Sequence, residues 1–192
     1  SNLDFDKLKK AYEIAPQKNT ITYDLQKAIE DKLEKMLKEN PLRMEFHERY
    51  QEIVKAYNDG KSPDATKKTF DDFIEFIKSL DEESKRAVKE GFRDDENLAI
   101  FDLLMEGKVL NKDDVLKVKK IAQETLAKLK ADKLTIARWS ESRQIKAQIK
   151  GEIYNNLLWL PESSYTDEEV SMKSINVYQH IHATYSTNNN TI

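Results

Sequence analysis

The first candidate catalytic site in the sequence consists of two acidic residues and a lysine at the spacing of a nuclease motif. Pro63-Asp64 precedes Glu83-Ser84-Lys85, which matches the PD…ExK pattern of metal-dependent nucleases. In that fold the two carboxylates lie on neighbouring strands and bind one divalent metal ion. Here the apolar spacing of Phe70–Leu80, between them, is helical. We therefore reject a nuclease site at these residues.

The histidines do not form a metal site either. His180 and His182 are two residues apart, and on a helix that spacing directs side chains roughly 200° apart. His47 beside Glu48 is an ordinary pair on a helix face. We predict that no metal is bound by these residues.

Basic residues give a more informative signal. The basic window, defined as Lys117–Lys150, contains ten basic and three acidic residues, so its net charge is +7, whereas the rest of the chain carries −10. Such a segment binds phosphates or an acidic partner, with a strong dependence on salt; alternatively, its lysines are solvated helix faces. Our candidate contacts with a partner or with DNA are Lys128, Lys130, Lys133, Arg138, Trp139, Arg143, Lys146 and Lys150. Trp139 is either an interface anchor or part of the core.

The composition excludes several other functions. Only four glycines, four prolines and no cysteines occur in 192 residues. The isolated glycines cannot form a phosphate-binding P-loop, and without cysteine the chain has no disulfide, thiol nucleophile or thiolate zinc site. We expect no cofactor in this chain and, because a cysteine-free chain fits a reducing compartment, a cytoplasmic location. No apolar run is long enough to span a membrane.

Helical periodicity extends along almost the whole chain and predicts an all-α fold, an irregular bundle of about seven to nine helices. The apolar stripe Leu25–Leu37 ends at Asn40-Pro41 and the next ends at Asn58-Asp59-Gly60, which predicts two antiparallel neighbours. Asn111 and Thr166 are predicted N-caps, the latter in a capping box with Glu169.

Three further local features are less regular. Asp81, at the end of the helical pattern Phe70–Leu80, is a possible cap of a continuation through Gly91. The segment Leu134–Ser142 has no clean period and is predicted to be a buried crossing loop. Gly151 lies inside the helical pattern Ile145–Leu157, which suggests the close approach of a neighbouring helix.

These elements predict a single helical domain over residues 3–185, with possible lobes at 3–92 and 93–185. Ser1-Asn2 is predicted to be a remnant of cloning, so that the chain is part of a longer protein. Residues 186–192 are polar and rich in asparagine, and we predict a disordered tail there.

Three stretches together resemble the C-terminal helical domain of the R subunit, the motor and nuclease subunit, of type I restriction-modification enzymes. They are Leu25–Tyr57, with its helix, Asn-Pro and second helix; Asp95–Leu104, with the sequence DENLAIFDLL; and Trp139–Tyr185, with a basic helix, a Leu-Pro loop and a closing helix. The resemblance covers roughly residues 24–185 and includes no catalytic motif.

The resemblance implies a parent subunit that pumps and cleaves DNA using ATP and Mg²⁺ in domains that this sequence lacks. It implies that the helical domain docks this subunit onto the methyltransferase and specificity subunits. Two hypotheses follow for the chain itself: a non-catalytic docking module, or a module that contacts duplex DNA without sequence preference. A free-standing enzyme is the least favoured alternative.

Overall fold

The protein is described by a computed structural model, which covers residues 4–187. Within these residues 79% of the chain is helical and no strand occurs, so the predicted all-α class and helix number are confirmed. The nine α-helices of this part are α1 (Phe5–Ile14), α2 (Lys18–Glu39), α3 (Met44–Asp59), α4 (Pro63–Ser84), α5 (Arg86–Lys89), α6 (Asp95–Met105), α7 (Lys112–Asp132), α8 (Arg143–Leu157) and α9 (Asp167–Tyr185).

Helix boundaries with a strong local signal lie where the sequence places them. The side chain of Asn111 accepts a hydrogen bond of 2.8 Å from the backbone N–H of Asp114 at the start of α7. Thr166 accepts one of 3.2 Å from the N–H of Glu169 at the start of α9. Both predicted N-caps are confirmed, because each satisfies an N–H group that has no partner within its own helix.

The described chain divides into two compact units. Unit 1 contains residues 4–38 and 43–86, and unit 2 contains residues 39–42 and 87–187. The prediction of a single domain with lobes at 3–92 and 93–185 stays a prediction, and the division observed falls after residue 86. The proposed cloning remnant, Ser1-Asn2, lies outside the described residues, as do residues 188–192 of the predicted tail.

Unit 1 has an aromatic core under an antiparallel helix pair. The hydroxyl groups of Tyr50 and Tyr57 on α3 donate hydrogen bonds to Glu30 (2.7 Å) and Asn19 (3.0 Å) on α2, so the two helices run in opposite directions. Phe73 on α4 packs against both tyrosine rings. The antiparallel pair joined at Pro41 is therefore confirmed.

Unit 2 buries a larger apolar core contributed by α6, α7, α8 and α9. Its fully buried side chains include Leu104, Val118, Ile153 and Val177, one from each of these helices. The four-residue spacing of Ile149, Ile153 and Leu157 places one face of α8 in this core. The opposite face of α8 is left for solvent.

Three expectations about irregular positions are corrected. Asp81 does not begin a helix, because α4 continues through it to Ser84. Gly151 is exposed, and a Cβ at this position would have no atom within 4 Å outside its own helix turn, so no neighbouring helix approaches it. In the segment after α7, Leu134 and Trp139 are buried, but residues 135–138 between them are exposed, so this loop is only partly buried.

Candidate interaction surface

The structure does not assemble the nuclease motif. Asp64 and Glu83 lie at opposite ends of α4, about 28 Å apart along its axis at 1.5 Å per residue. Glu83 instead pairs with Arg43 and Arg86. Within residues 4–187 no three potential ligands are grouped to hold a metal ion. The interpretation of Asp64 and Glu83 as separate side chains of a helical protein is therefore correct.

Half of the basic window is neutralised by nearby carboxylates. Five of its ten basic residues form ion pairs: Lys117 with Asp114, Lys119 with Glu90, Lys120 with Glu124, Lys130 with Glu96 and Arg138 with Glu141. Exposed pairs such as Lys120 with Glu124 contribute little to stability, but every one of the five pairs reduces the positive charge that a partner would meet. Within the described residues, the positive charge of the window is therefore left mainly on its other five cations.

The candidate contact residues on and after α7 differ in their exposure and in the groups that they already contact. Lys130 also lies over the ring of Tyr185, at 5.6 Å from its centroid. The Nζ of Lys128 donates a hydrogen bond of 3.2 Å to Asn156, and Lys133 is half-buried at the end of α7. Arg138 is exposed and adopts a left-handed backbone conformation, with φ at 56°. Lys128 and Arg138 are thus exposed but already engaged, whereas Lys130 and Lys133 are half-buried.

Trp139 is not a surface anchor. It is 0% exposed in a short 3-10 turn, Trp139–Glu141, and its ring meets His182 of α9 edge-on at 5.7 Å. An indole enclosed in this way cannot be reached by a partner without opening unit 2. The alternative that Trp139 belongs to the core is therefore correct.

The exposed tryptophan is Trp159, which the sequence did not single out. Its side chain is 80% exposed, next to Leu158, which is 51% exposed. The signal was present in the sequence, because the core pattern of α8 ends at Leu157 and Trp159 falls outside its four-residue spacing. Large apolar side chains exposed side by side are typical of interaction sites.

Five residues, four of them exposed and Lys146 half-buried, form a continuous line along α8, which we call the α8 stripe. They are Arg143, Lys146, Lys150, Tyr154 and Leu158. Their spacings of three and four residues place them on one helix face, over about 22 Å of helix axis. The stripe thus has a basic half and an apolar half, and Trp159 follows its apolar end.

The cations of the α8 stripe are available to a partner. Within the described residues, Arg143, Lys146 and Lys150 have no carboxylate within ion-pair distance. Lys150 lies over the ring of Tyr178, at 4.8 Å from its centroid, and Arg143 and Lys150 are exposed. Three uncompensated cations beside exposed apolar groups fit a surface that is both acidic and partly apolar.

The fold and this surface define an all-α domain with a mixed basic and apolar helix face. A family model described as type I restriction enzyme HindI endonuclease subunit-like, C-terminal, matches residues 1–185, and the chain belongs to this family. The resemblance to the C-terminal domain of type I restriction subunits is thereby confirmed. Comparisons with curated proteins and with solved structures give no match.

Between residues 4 and 187, no helix combines the length and the apolar character needed to cross a bilayer.

Proposed function

We propose that this chain is a non-catalytic assembly domain of a type I restriction subunit. It docks the ATP-dependent DNA translocase and endonuclease onto the methyltransferase and specificity subunits in the cytoplasm. The family match supports the type of parent protein. In this proposal ATP and Mg²⁺ act in other domains of the parent, and this chain requires no cofactor.

The α8 stripe is the observation that carries the docking role. Its basic half attracts an acidic surface over a distance and orients it. Its apolar half, with the adjoining Trp159, supplies the buried contacts that hold a complex together. A catalytic cleft needs convergent polar groups, whereas this stripe is convex and linear, which suits the contact of one protein with another.

Two sets of substitutions test the proposal. In one, Arg143, Lys146 and Lys150 are each replaced by Gln; in the other, Tyr154 and Leu158 are each replaced by Ala. We expect each set to weaken binding of the chain to the purified methyltransferase and specificity core by at least about tenfold, equivalent to 1.4 kcal/mol. Isothermal titration calorimetry measures the affinity.

A matched control makes the same change in net charge at three lysines outside the stripe. Lys27, Lys35 and Lys61 of unit 1 are exposed, and their triple replacement by Gln should leave the affinity unchanged. Equal affinity for the core in the control and in both stripe variants would contradict docking through α8. Circular dichroism confirms that the variants remain helical.

The second candidate function is contact with duplex DNA, favoured by the three stripe cations that form no ion pair within residues 4–187. If each neutralises one phosphate, the logarithm of the affinity should fall against the logarithm of the salt concentration with a slope of about −2.7. Replacing Arg143, Lys146 and Lys150 by Gln should then abolish this slope. Fluorescence anisotropy with a labelled duplex at several salt concentrations measures it.

The apolar half of the stripe discriminates between the two functions. Phosphate contacts do not need Tyr154 or Leu158, so their replacement by Ala leaves DNA affinity unchanged if the stripe is a DNA contact. Docking onto a protein surface does need them. The same double variant, measured against DNA and against the subunit core, therefore separates the alternatives.

A further inference from the structure

A groove lies between α2 and α3 of unit 1, far in sequence from the α8 stripe and not used by the docking proposal. We call it the α2–α3 groove. It has a volume of 680 Å³. Leu33 on α2 and Tyr50 on α3 line it and are buried, so they form its floor. Leu37 and Val54 line it and are half-buried, so apolar surface remains open to solvent along it.

Hydrogen bonding holds the floor of the groove in one conformation. The hydroxyl of Tyr50 donates to the carboxylate of Glu30 across the groove, at 2.7 Å. Its ring packs against Phe73 and Phe76 of α4 on the other side. The floor is therefore part of the core of unit 1, and the groove does not need a conformational change to exist.

The rim of the groove is acidic. Three carboxylates line it, those of Glu30, Glu34 and Asp59, against a single ammonium group, that of Lys55. All three acidic residues are exposed. Glu34 pairs with Lys38 at 3.2 Å, but both side chains are more than two-thirds exposed, so this pair is readily exchanged for another cation.

We propose that the α2–α3 groove binds a basic amphipathic helix of a partner protein. Apolar side chains of that helix would enter between Leu37 and Val54, and its lysines or arginines would pair with Glu30, Glu34 and Asp59. The charge of the rim favours a cationic segment, and the apolar floor requires an apolar face on the same segment.

The dimensions of the groove favour a helix. The lining residues extend from Glu30 to Leu37 on one wall and from His47 to Asp59 on the other, about 10 Å and about 18 Å of helix axis. A helix of about three turns fills this length and presents apolar residues at positions i, i+3, i+4 and i+7. The pair α2 and α3 then becomes a three-helix layer.

The test uses a designed peptide as the probe. It is a fluorescent helix-forming peptide of about 14 residues, with leucine at i, i+3, i+4 and i+7 and lysine flanking this face. A scrambled peptide of the same composition has no apolar face. We expect saturable binding of the designed peptide to the full chain by fluorescence anisotropy, and binding at least about tenfold weaker for the scrambled peptide.

Variants of the chain locate the binding. Val54→Lys places a charge in the groove, and the double variant Glu34→Lys with Asp59→Lys reverses the rim at exposed positions, where folding is not at risk. Each should weaken peptide binding by at least about tenfold. The matched control, Glu45→Lys with Glu52→Lys, changes two exposed carboxylates of α3 that do not line the groove and should bind as the parent chain does.

Three results would overturn the proposal. The first is equal binding by the groove variants and the control. The second is equal binding of the scrambled peptide. The third is self-association of the chain, measured by sedimentation velocity and abolished by Val54→Lys, because the occupant would then be a second copy. None of these results bears on docking through α8, because the stripe residues are unchanged in every variant.

Discussion

The Nζ of Lys173 on α9 donates a hydrogen bond of 2.7 Å to the carbonyl oxygen of Glu106, just beyond the end of α6. The hydroxyl of Tyr165 donates a second, of 2.8 Å, to the carbonyl oxygen of Leu104 in the last turn of the same helix. The last carbonyls of a helix have no partner within it. In unit 2 they are satisfied by side chains from a segment about 60 residues further along the chain.

Replacing Lys173 by Met tests the first of these bonds. Lys173 is only 8% exposed, so the variant removes a buried donor from the Glu106 carbonyl. We expect the free energy of unfolding to fall by about 1 to 3 kcal/mol, measured by urea denaturation. Lys112→Met, at an exposed lysine of α7, is the control and should change stability by less than about 0.5 kcal/mol.

Burial also lowers the pKa of Lys173 below its usual value. Between the folded and unfolded pKa values the unfolded chain binds more protons, so this lysine makes stability rise with pH in that interval. The difference in stability between the parent chain and Lys173→Met should therefore increase as the pH approaches 10.5 from below. A difference that stays constant with pH would contradict the buried ammonium group.

Tyr165 makes the opposite contribution at alkaline pH. Burial, with the nearby carboxylates of Glu169 and Asp114, raises the pKa of its phenol from 10.0 to about 12. Because the unfolded chain loses this proton first, the stability due to Tyr165 is complete below pH 10 and decreases as the pH rises towards 12.

The variant Tyr165→Phe isolates this effect. Its stability should be lower than that of the parent chain by about 1 to 2 kcal/mol at neutral pH, because the bond to Leu104 is lost. The difference should shrink as the pH increases above 10. Urea denaturation of both proteins across this range measures it, and the other tyrosines cancel in the comparison. A constant difference would show that the phenol does not titrate differently in the folded chain.

The two tryptophans should respond to substitution in opposite ways. Trp139→Ala removes a fully buried side chain of unit 2 and should cost about 3 to 5 kcal/mol. Trp159→Ala removes an exposed one and should change stability by less than about 0.5 kcal/mol, while weakening binding to the subunit core. Thermal denaturation and calorimetric titration measure the two effects. If Trp159→Ala lowered the stability more than Trp139→Ala, the assignment of Trp159 as an exposed side chain would be wrong.

A buried ion pair stabilises the start of α3 in unit 1. The side chain of Arg43 is 2% exposed; its Nε lies 3.0 Å from Glu83 on α4, and it also donates to the carbonyl of Met36. In Arg43→Met, Glu83 keeps its ion pair with the half-buried Arg86. We expect a loss of about 3 kcal/mol, the lower part of the range for breaking a buried pair, because Arg86 compensates in part.

A double-mutant cycle measures this pair. If Arg43 and Glu83 interact directly, the combined variant Arg43→Met with Glu83→Gln should lose less stability than the sum of the two single variants. Exact additivity would show that the two side chains do not interact. Urea denaturation of the four proteins gives the coupling free energy.

The sequence predicts those features that are decided within a few residues. Pro41 ends α2 because proline cannot continue a helix, and Asn111 and Thr166 begin helices because their side chains reach the next turn. Each of these depends on local backbone chemistry alone. The helical class follows in the same way, from periodicity and from the scarcity of glycine and proline.

The candidate surface depends on distant parts of the chain, and there the sequence is insufficient. Trp139 is buried because His182, 43 positions further along, lies against its ring. Lys130 is paired because Glu96 of α6 faces it. No local pattern distinguishes Lys130 from Lys150 or shows that Trp139 is buried, so the net charge of +7 over the basic window overstated the free positive surface.

Gly151 gives the last prediction, since its surroundings are the reverse of those expected. It lies in the interior of α8 and is exposed, and an added Cβ would meet nothing within 4 Å. Gly151→Ala should therefore raise the free energy of unfolding by about 0.5 to 1 kcal/mol, because alanine restricts the unfolded chain and has the higher helix propensity.

Gly107 also has open space around it, but its φ is +73°, so Gly107→Ala should be destabilising. Urea denaturation of the two variants separates the effect of open space around the glycine from the effect of its backbone conformation. If both variants were more stable than the parent chain, open space alone would decide the outcome. If both were less stable, α8 would be more crowded at Gly151 than its geometry shows.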